Sequence, residues 1–199
     1  MINIVAKILL LVGSLLSIHA SWLPAKGWLS QQLIQYSWQQ SMANYQQQTP
    51  QQSAHQLRTF AVKPWPWADT FPIGELSIKR LHKKVVILNG GDPTTLAFSA
   101  GAVAPFNKIH ATKPFVIAGH RDSHFAFLEN IIMKDVISMT DPSGINQLYQ
   151  VEAIEIVDAS KGPLPVLADN SNLILITCYP FNSIGSDTNE RYVITAKRL

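Results

Sequence analysis

Three residues in the second half of the chain carry side chains suited to covalent chemistry. Cys178 is the only cysteine in 199 residues and closes the apolar run "LILITC". His120 closes another, "PFVIAGH", and Arg191 opens a third, "RYVITAK". A thiol with the ordinary pKa is only about 3% thiolate at pH 7, so it needs a nearby cation to become a useful nucleophile. An imidazole supplies that cation and later a proton, which is how Cys and His cooperate in acyl transfer. Acyl transfer also builds negative charge on a carbonyl oxygen, and a guanidinium answers it with a permanent cation and a rigid fork of donors.

Each residue also has a plainer reading. A lone cysteine is as readily a small buried hydrophobe as a reactive thiolate. One thiol makes neither an intramolecular disulfide nor a four-thiolate zinc site. Arg191 has Asp187 and Glu190 nearby as salt-bridge partners. His124 follows His120 at the i, i+4 spacing of a helical metal pair, yet only His110 is close enough in sequence to be a third ligand, and no acid stands at the metalloprotease spacing. No metal site is expected, and His55, His82, His110 and His124 are read as structural. What sets Cys178, His120 and Arg191 apart is their setting at strand ends, where a rigid scaffold can present them to a cleft.

Those ends belong to a succession of short β-branched segments. "IGELSI", "KKVVILN", "TTLAFS", "PFVIAG", "DVISMT", "LYQVEAIEIV", "LILITC" and "RYVITAK" read as eight strands, separated by Gly, Pro, Asn and Asp. Many short strands in a segment of this size indicate an all-β barrel or sandwich. We assign residues 65–199 to this domain.

The chain before it is different. Between Lys7 and Lys26 no residue is charged, and the 18 residues from Ile8 to Ala25 are long enough to cross a hydrocarbon core of about 30 Å. "SIHAS" offers a small residue for signal cleavage, but Ile18 fits the small-x-small rule poorly, which favours a retained anchor over residues 1–25. Either reading puts the remainder of the chain outside the cytoplasm. From Trp28, the residues Leu29, Leu33, Ile34, Trp38, Met42 and Tyr45 recur at steps of three and four, a helical stripe over 26–45 with Gln and Ser on the other face. "QQQTPQQSAHQ" reads as a linker within 46–64. The tryptophans of "KPWPWADTFP" are expected to pack on the domain or meet the membrane interface.

Composition sets the outer limits. Charged residues are 15% of the chain, which the uncharged N-terminal run helps to explain, and hydrophobic residues at 47% suffice for a core. The net charge of +3 is spread over scattered Lys and Arg with no basic stripe, so nucleic acid is not an expected partner.

The stretches "AGHRDSHFAFL", "LITC" and "RYVITA", in this order, resemble the sortases, cysteine transpeptidases of bacterial surfaces. The family signature is Leu-x-Thr-Cys ending one strand, a His well upstream and an Arg on the next strand; Leu175, Thr177, Cys178, His120 and Arg191 match it. The N-terminal anchor, "AKGWLSQQLIQ" and "PWPWAD" are similar to the Gram-negative group of sortases. The resemblance implies a sortase-type eight-stranded β-barrel behind an N-terminal transmembrane and juxtamembrane helix. It implies that Cys178 attacks the Thr–Gly carbonyl of an LPxTG-like sorting signal on a protein substrate, giving a thioester that an amine resolves. His120 would protonate the leaving amine, Arg191 would steady the oxyanion and the peptide, and Thr177 would shape the substrate groove. The loop "DASKGPLPVLADNSN" would cover the peptide. It offers only Asp158 and Asp169, so no calcium and no other cofactor is expected. The location implied is the inner membrane, with the catalytic domain in the periplasm. Two rivals are a non-catalytic anchored β-domain and an L,D-transpeptidase; "ILITCYPF" lacks the Ser-His-Gly-Cys cluster of the latter.

Overall fold

The computed structural model describes residues 2–47, 60–109, 112–162, 171–183 and 188–199. Eight strands close into one barrel: β1 (Pro72–Ile78), β2 (Lys83–Asn89), β3 (Gly101–Ala102), β4 (Phe115–Ala118), β5 (Val136–Thr140), β6 (Asn146–Asp158), β7 (Leu173–Cys178) and β8 (Glu190–Arg198). Around the barrel they follow the order β1-β2-β3-β4-β7-β8-β6-β5. Two neighbouring pairs, β2/β3 and β4/β7, run parallel, and the others run antiparallel.

Alternation along each strand separates an inner from an outer face. Leu76, Ile87, Ile117, Leu175 and Ile194 belong to the main interior cluster and are inaccessible to solvent. Val116, Ile174, Ile176 and Val193 point the other way and form a second buried cluster on the outside of β4, β7 and β8, packed with Val103, Phe106 and Val157. The site is built at the edge of this outer cluster.

The count of eight strands holds, but one expected strand is a helix. All of "TTLAFS" but its last residue, Ser99, lies in α2 (Pro93–Phe98), following α1 (Ile2–Gln46). The cause is at its start: the Asp92 carboxylate accepts from the Thr95 N–H at 3.0 Å and from Thr95 Oγ1 at 2.6 Å, and Pro93 takes the first turn, where no N–H is needed. An N-terminal cap of this strength overrides two β-branched threonines. The missing strand is the two-residue β3, too short to leave a pattern. A Cβ on Gly101 would lie 1.9 Å from the Gly90 carbonyl oxygen, so only glycine permits β3 to approach β2.

The expected anchor and the expected juxtamembrane helix fall in a single element. α1 runs unbroken through Pro24, which forfeits one main-chain hydrogen bond near the junction of its two halves. Ile4 to Trp22 present their large apolar side chains to the surroundings, and this helix is long and apolar enough to cross a membrane. The second half docks on the barrel. Ile34 and Trp38 are 1% and 3% exposed against Val86, Leu88, Met42, Trp65 and Phe98; truncating such a buried Trp typically costs about 3–5 kcal/mol. The buried stripe is turned from the expected one, because Leu29 is exposed and Ser30, Ser37 and Ser41 are buried. Serine is small, and its hydroxyl can satisfy a main chain packed against it. Ser37 donates to the Val62 carbonyl, and Ser41 accepts from the Val62 N–H at 2.9 Å. Residues 60–64 of the expected linker thus dock on α1; its middle lies outside the described residues.

One ion pair braces the approach to the site. Arg80 Nε and Nη2 each donate to the Asp135 carboxylate at 2.6 Å, and Nη2 also donates to the Asn130 carbonyl. The Ile132 N–H adds a further bond to Asp135 at 3.0 Å. The hydrogen bonds from Arg80, above all, hold the buried Asp135 carboxyl below its ordinary pKa. The pair ties the β1–β2 turn to the segment that leads from the 3-10 turn Ala126–Asn130 into β5.

Candidate active site

Parallel pairing of β4 with β7 brings two distant stretches to one end of the barrel. Ile117 lies beside Leu175 and Ala118 beside Ile176. The Gly119 N–H donates to the Ile176 carbonyl at 3.2 Å, which carries the pairing one residue past β4. His120 follows Gly119 just past the end of β4, and Cys178 is the last residue of β7. Cys178 continues the outward series of Ile174 and Ile176 and is half-buried; His120 is exposed.

The third residue arrives from the other side. β7 and β8 are antiparallel, and Cys178 is the register partner of Arg191. Directly opposed residues in such a pair share one face, with Cβ atoms about 4.5–5.5 Å apart. The Arg191 guanidinium donates through Nη1 to the carbonyls of Thr188 at 2.7 Å and Glu190 at 3.0 Å. Among the described residues its recorded partners are these carbonyls and no carboxylate; Asp187 lies outside the described residues.

Thr177 faces inward. It is 2% exposed, and its hydroxyl donates to the Gly119 carbonyl at 2.7 Å. The residue before Cys178 is therefore bonded to the residue before His120. The turn after His120 is wedged from beneath by Phe125, whose N–H donates to the His120 carbonyl at 2.9 Å. A Cβ on Gly119 would come within 2.8 Å of the Phe125 ring, so this turn requires glycine at 119.

Four neighbours, Arg121 and the aromatic residues Tyr179, Phe181 and Tyr192, were not singled out from the sequence. Arg121 is buried and donates through Nη2 to the Ser183 carbonyl at 3.3 Å, tying the His120 turn to the β7–β8 connection. Its only sequence signal is a charge directly after His120. Tyr179, Phe181 and Tyr192 pack as an aromatic group with ring centroids 5.1–6.2 Å apart. Together with Glu129, Pro180 and Asn182 they line a cavity of about 260 Å³ beside the strand end. Burial first, then the nearby Tyr179 and Glu129, raises the Tyr192 phenol above its ordinary pKa.

The remaining histidines are placed as follows. His124 is half-buried against α2, beside the Ala97 main chain; burial holds its pKa below the ordinary imidazole value, the Ala97 contact opposes that shift, and charge on His120 adds to it. His82 ends the turn Lys79–Leu81 in a left-handed conformation, φ 50°. His55 and His110 lie outside the described residues. Among the described residues no group of three or more His, Cys, Asp or Glu side chains is gathered as a metal site. Of the loop before β7, Asp158 bonds Ser160 and pairs with Lys161 at 3.5 Å, whereas Asp169 lies outside the described residues.

A thiol, an imidazole and a guanidinium stand at neighbouring strand ends of one barrel, the kinds of group that thiol-mediated acyl transfer calls on. Comparison with known proteins agrees on the family. The sortase domain family matches residues 76–199. Sortase D of Bacillus subtilis (strain 168) is 28% identical over 127 residues, covering 63% of this chain and 63% of that protein. Among solved structures, sortase A from Corynebacterium diphtheriae superposes with a TM-score of 0.59 at 22% identity, over 86% of this chain and 82% of that one. A sortase D5 transpeptidase from Clostridium perfringens superposes with a TM-score of 0.55 at 21% identity, over 64% of this chain and 79% of that one. The family match spans the strands that carry Cys178, His120 and Arg191, and this chain belongs to the sortase family.

Proposed function

We propose that the chain is a membrane-anchored sortase transpeptidase of the Gram-negative class, acting on a protein that ends in an LPxTG-like sorting signal. The observation that carries this reading is the register pair Cys178–Arg191 at the strand end beside which His120 emerges. Cys178 attacks the carbonyl carbon of the signal's Thr–Gly bond as a thiolate. Arg191 faces the oxygen on which negative charge then develops, and holds the peptide. Collapse breaks the C–N bond, and His120 gives its proton to the departing glycine amine. An acceptor amine adds to the thioester carbonyl, loses a proton to His120 and releases the thiolate. Thr177 shapes the groove from within, by fixing the strand ends that form its floor. No cofactor takes part in any of these steps.

In this reading the enzyme sits in the inner membrane and the barrel works in the periplasm, a location supported by the length and the exposed apolar side chains of the first half of α1. The 260 Å³ cavity beside Tyr179 flanks the reacting centre and gives a bound chain room on that side.

The test is intact-mass analysis of the full chain in detergent with an LPxTG peptide. A thioester adduct on Cys178 and release of the glycine-side fragment are expected, with both lost in Cys178→Ala while the melting midpoint moves little. Cleavage that persists in Cys178→Ala would overturn the mechanism. Failure of wild type to form an adduct or cleave any LPxTG-like peptide would favour the non-catalytic anchored domain.

A further inference from the structure

The docked half of α1 and the strand of chain that returns along it have a defined direction. Phe60 packs edge-on to Tyr45, and its carbonyl accepts from Asn44. Val62 is held by Ser37 and Ser41. Trp65 joins the cluster of Ile34 and Trp38 and packs on Phe98, whose carbonyl accepts from Gln31. From residue 60 to 65 the chain thus runs antiparallel to α1, toward the helix's apolar half. It then turns, with the Ala68 N–H bonded to the Trp65 carbonyl, and enters the barrel through Thr70, whose hydroxyl donates to the Asn89 carbonyl. The tip of that turn is Trp67.

Trp67 is 80% exposed, although Ala68 and Thr70 beside it are buried. Among the described residues nothing in the packing calls for an indole there. Along α1 the apolar run ends at Lys26, whose ammonium lies 4.9 Å from the Trp22 ring centroid, and Trp28 is also largely exposed. Tryptophan concentrates where a membrane meets water, because its ring is amphipathic. From Lys26 to Gln31, where the first bond to the barrel side is made, the helix rises only about 8 Å. The headgroup layer of one leaflet is roughly 5–8 Å deep. A bend at Pro24 changes the tilt of the domain but not this length.

We infer that the barrel does not stand free on a stalk but rests on the bilayer, with Trp67 inserted among the lipid headgroups as a second contact beside α1. The occupant of this surface is the interface of the same membrane that α1 spans, and the inference rests on the anchor reading given above. Two contacts fix the domain's rotation about α1. The active site then meets its sorting signal at a set height and heading above the membrane, rather than by swinging on a tether.

The test uses the full chain in nanodiscs of phosphatidylcholine brominated at shallow acyl positions, with unbrominated discs as reference. Trp22 and Trp28 report insertion of α1, whereas Trp38 is buried and Trp65 half-buried in the docked cluster. Wild type should lose more emission to bromine than Trp67→Phe, by about one indole's share, whereas Trp65→Phe should lose as much as wild type. Equal losses in wild type and Trp67→Phe, with α1 inserted, would overturn the resting contact and leave Trp67 for water or a protein partner. Absence of quenching in every variant would instead overturn the anchor reading beneath it.

Discussion

The Thr177 hydroxyl donates to the Gly119 carbonyl at 2.7 Å, inside the barrel and one residue before both Cys178 and His120. Neither strand end can shift along the other without breaking this bond or the adjoining one from the Gly119 N–H to Ile176. The positions of Cys178 and His120, the proposed nucleophile and acid, are therefore coupled through the main chain behind them. Loss of the hydroxyl at nearly constant shape should expose that coupling.

Thr177→Val removes the donor and leaves the Gly119 carbonyl buried without it, at a cost of about 1–3 kcal/mol. We expect a lowered melting midpoint together with a fall in kcat larger than any rise in KM for an LPxTG peptide. Thr177→Ser keeps the hydroxyl and should recover turnover. A change confined to KM, shared by both variants, would mean that Thr177 touches the peptide and does not act through the strands.

The candidate reacting groups stand out in the sequence because their types are scarce and their chemistry is demanding. One cysteine, a histidine and an arginine, each at the boundary of a β-branched run, leave few alternatives once strands are assigned. The supports were less legible because they depend on contacts distant in sequence. The wedge of Phe125 under Gly119 needs the turn to be closed before it makes sense. Burial of Ser37 and Ser41 follows from a segment more than twenty residues on, through the hydrogen bonds to Val62. Gly101–Ala102 is too short for any periodicity, and α2 yields to its Asp92–Pro93 start, not to its residue propensities.

Burial of His124 is expected to make the fold sensitive to mild acid. Its folded-state pKa lies below the ordinary value, so between the two the unfolded chain binds more protons than the folded one. Stability then rises with pH in that window, and is lost as pH falls below about 6.5, the ordinary imidazole value. Melting midpoints should fall from pH 7.5 to 5.5 in wild type, and fall less in His124→Gln, which cannot take up the proton. Parallel curves for the two proteins would remove His124 as the source of that slope.

Arg191 faces two incompatible assignments, and its hydrogen bonds sharpen the choice. Its Nη1 is engaged by the carbonyls of Thr188 and Glu190, which would orient the guanidinium at the end of β8 for a reacting oxygen. A donor that acts chiefly in the transition state should lower turnover far more than stability when removed. Arg191→Ala is expected to cost about 100-fold or more in kcat, roughly 2.7 kcal/mol, as for other oxyanion donors. Arg191→Lys keeps the charge but loses the planar fork, and should recover little of it. If Arg191 serves only to brace the β7–β8 connection through those carbonyls, both variants should melt lower while turnover of the folded fraction stays near wild type. Steady-state kinetics beside melting curves for the two variants separates these outcomes, and the second would leave Cys178 and His120 to work as a dyad.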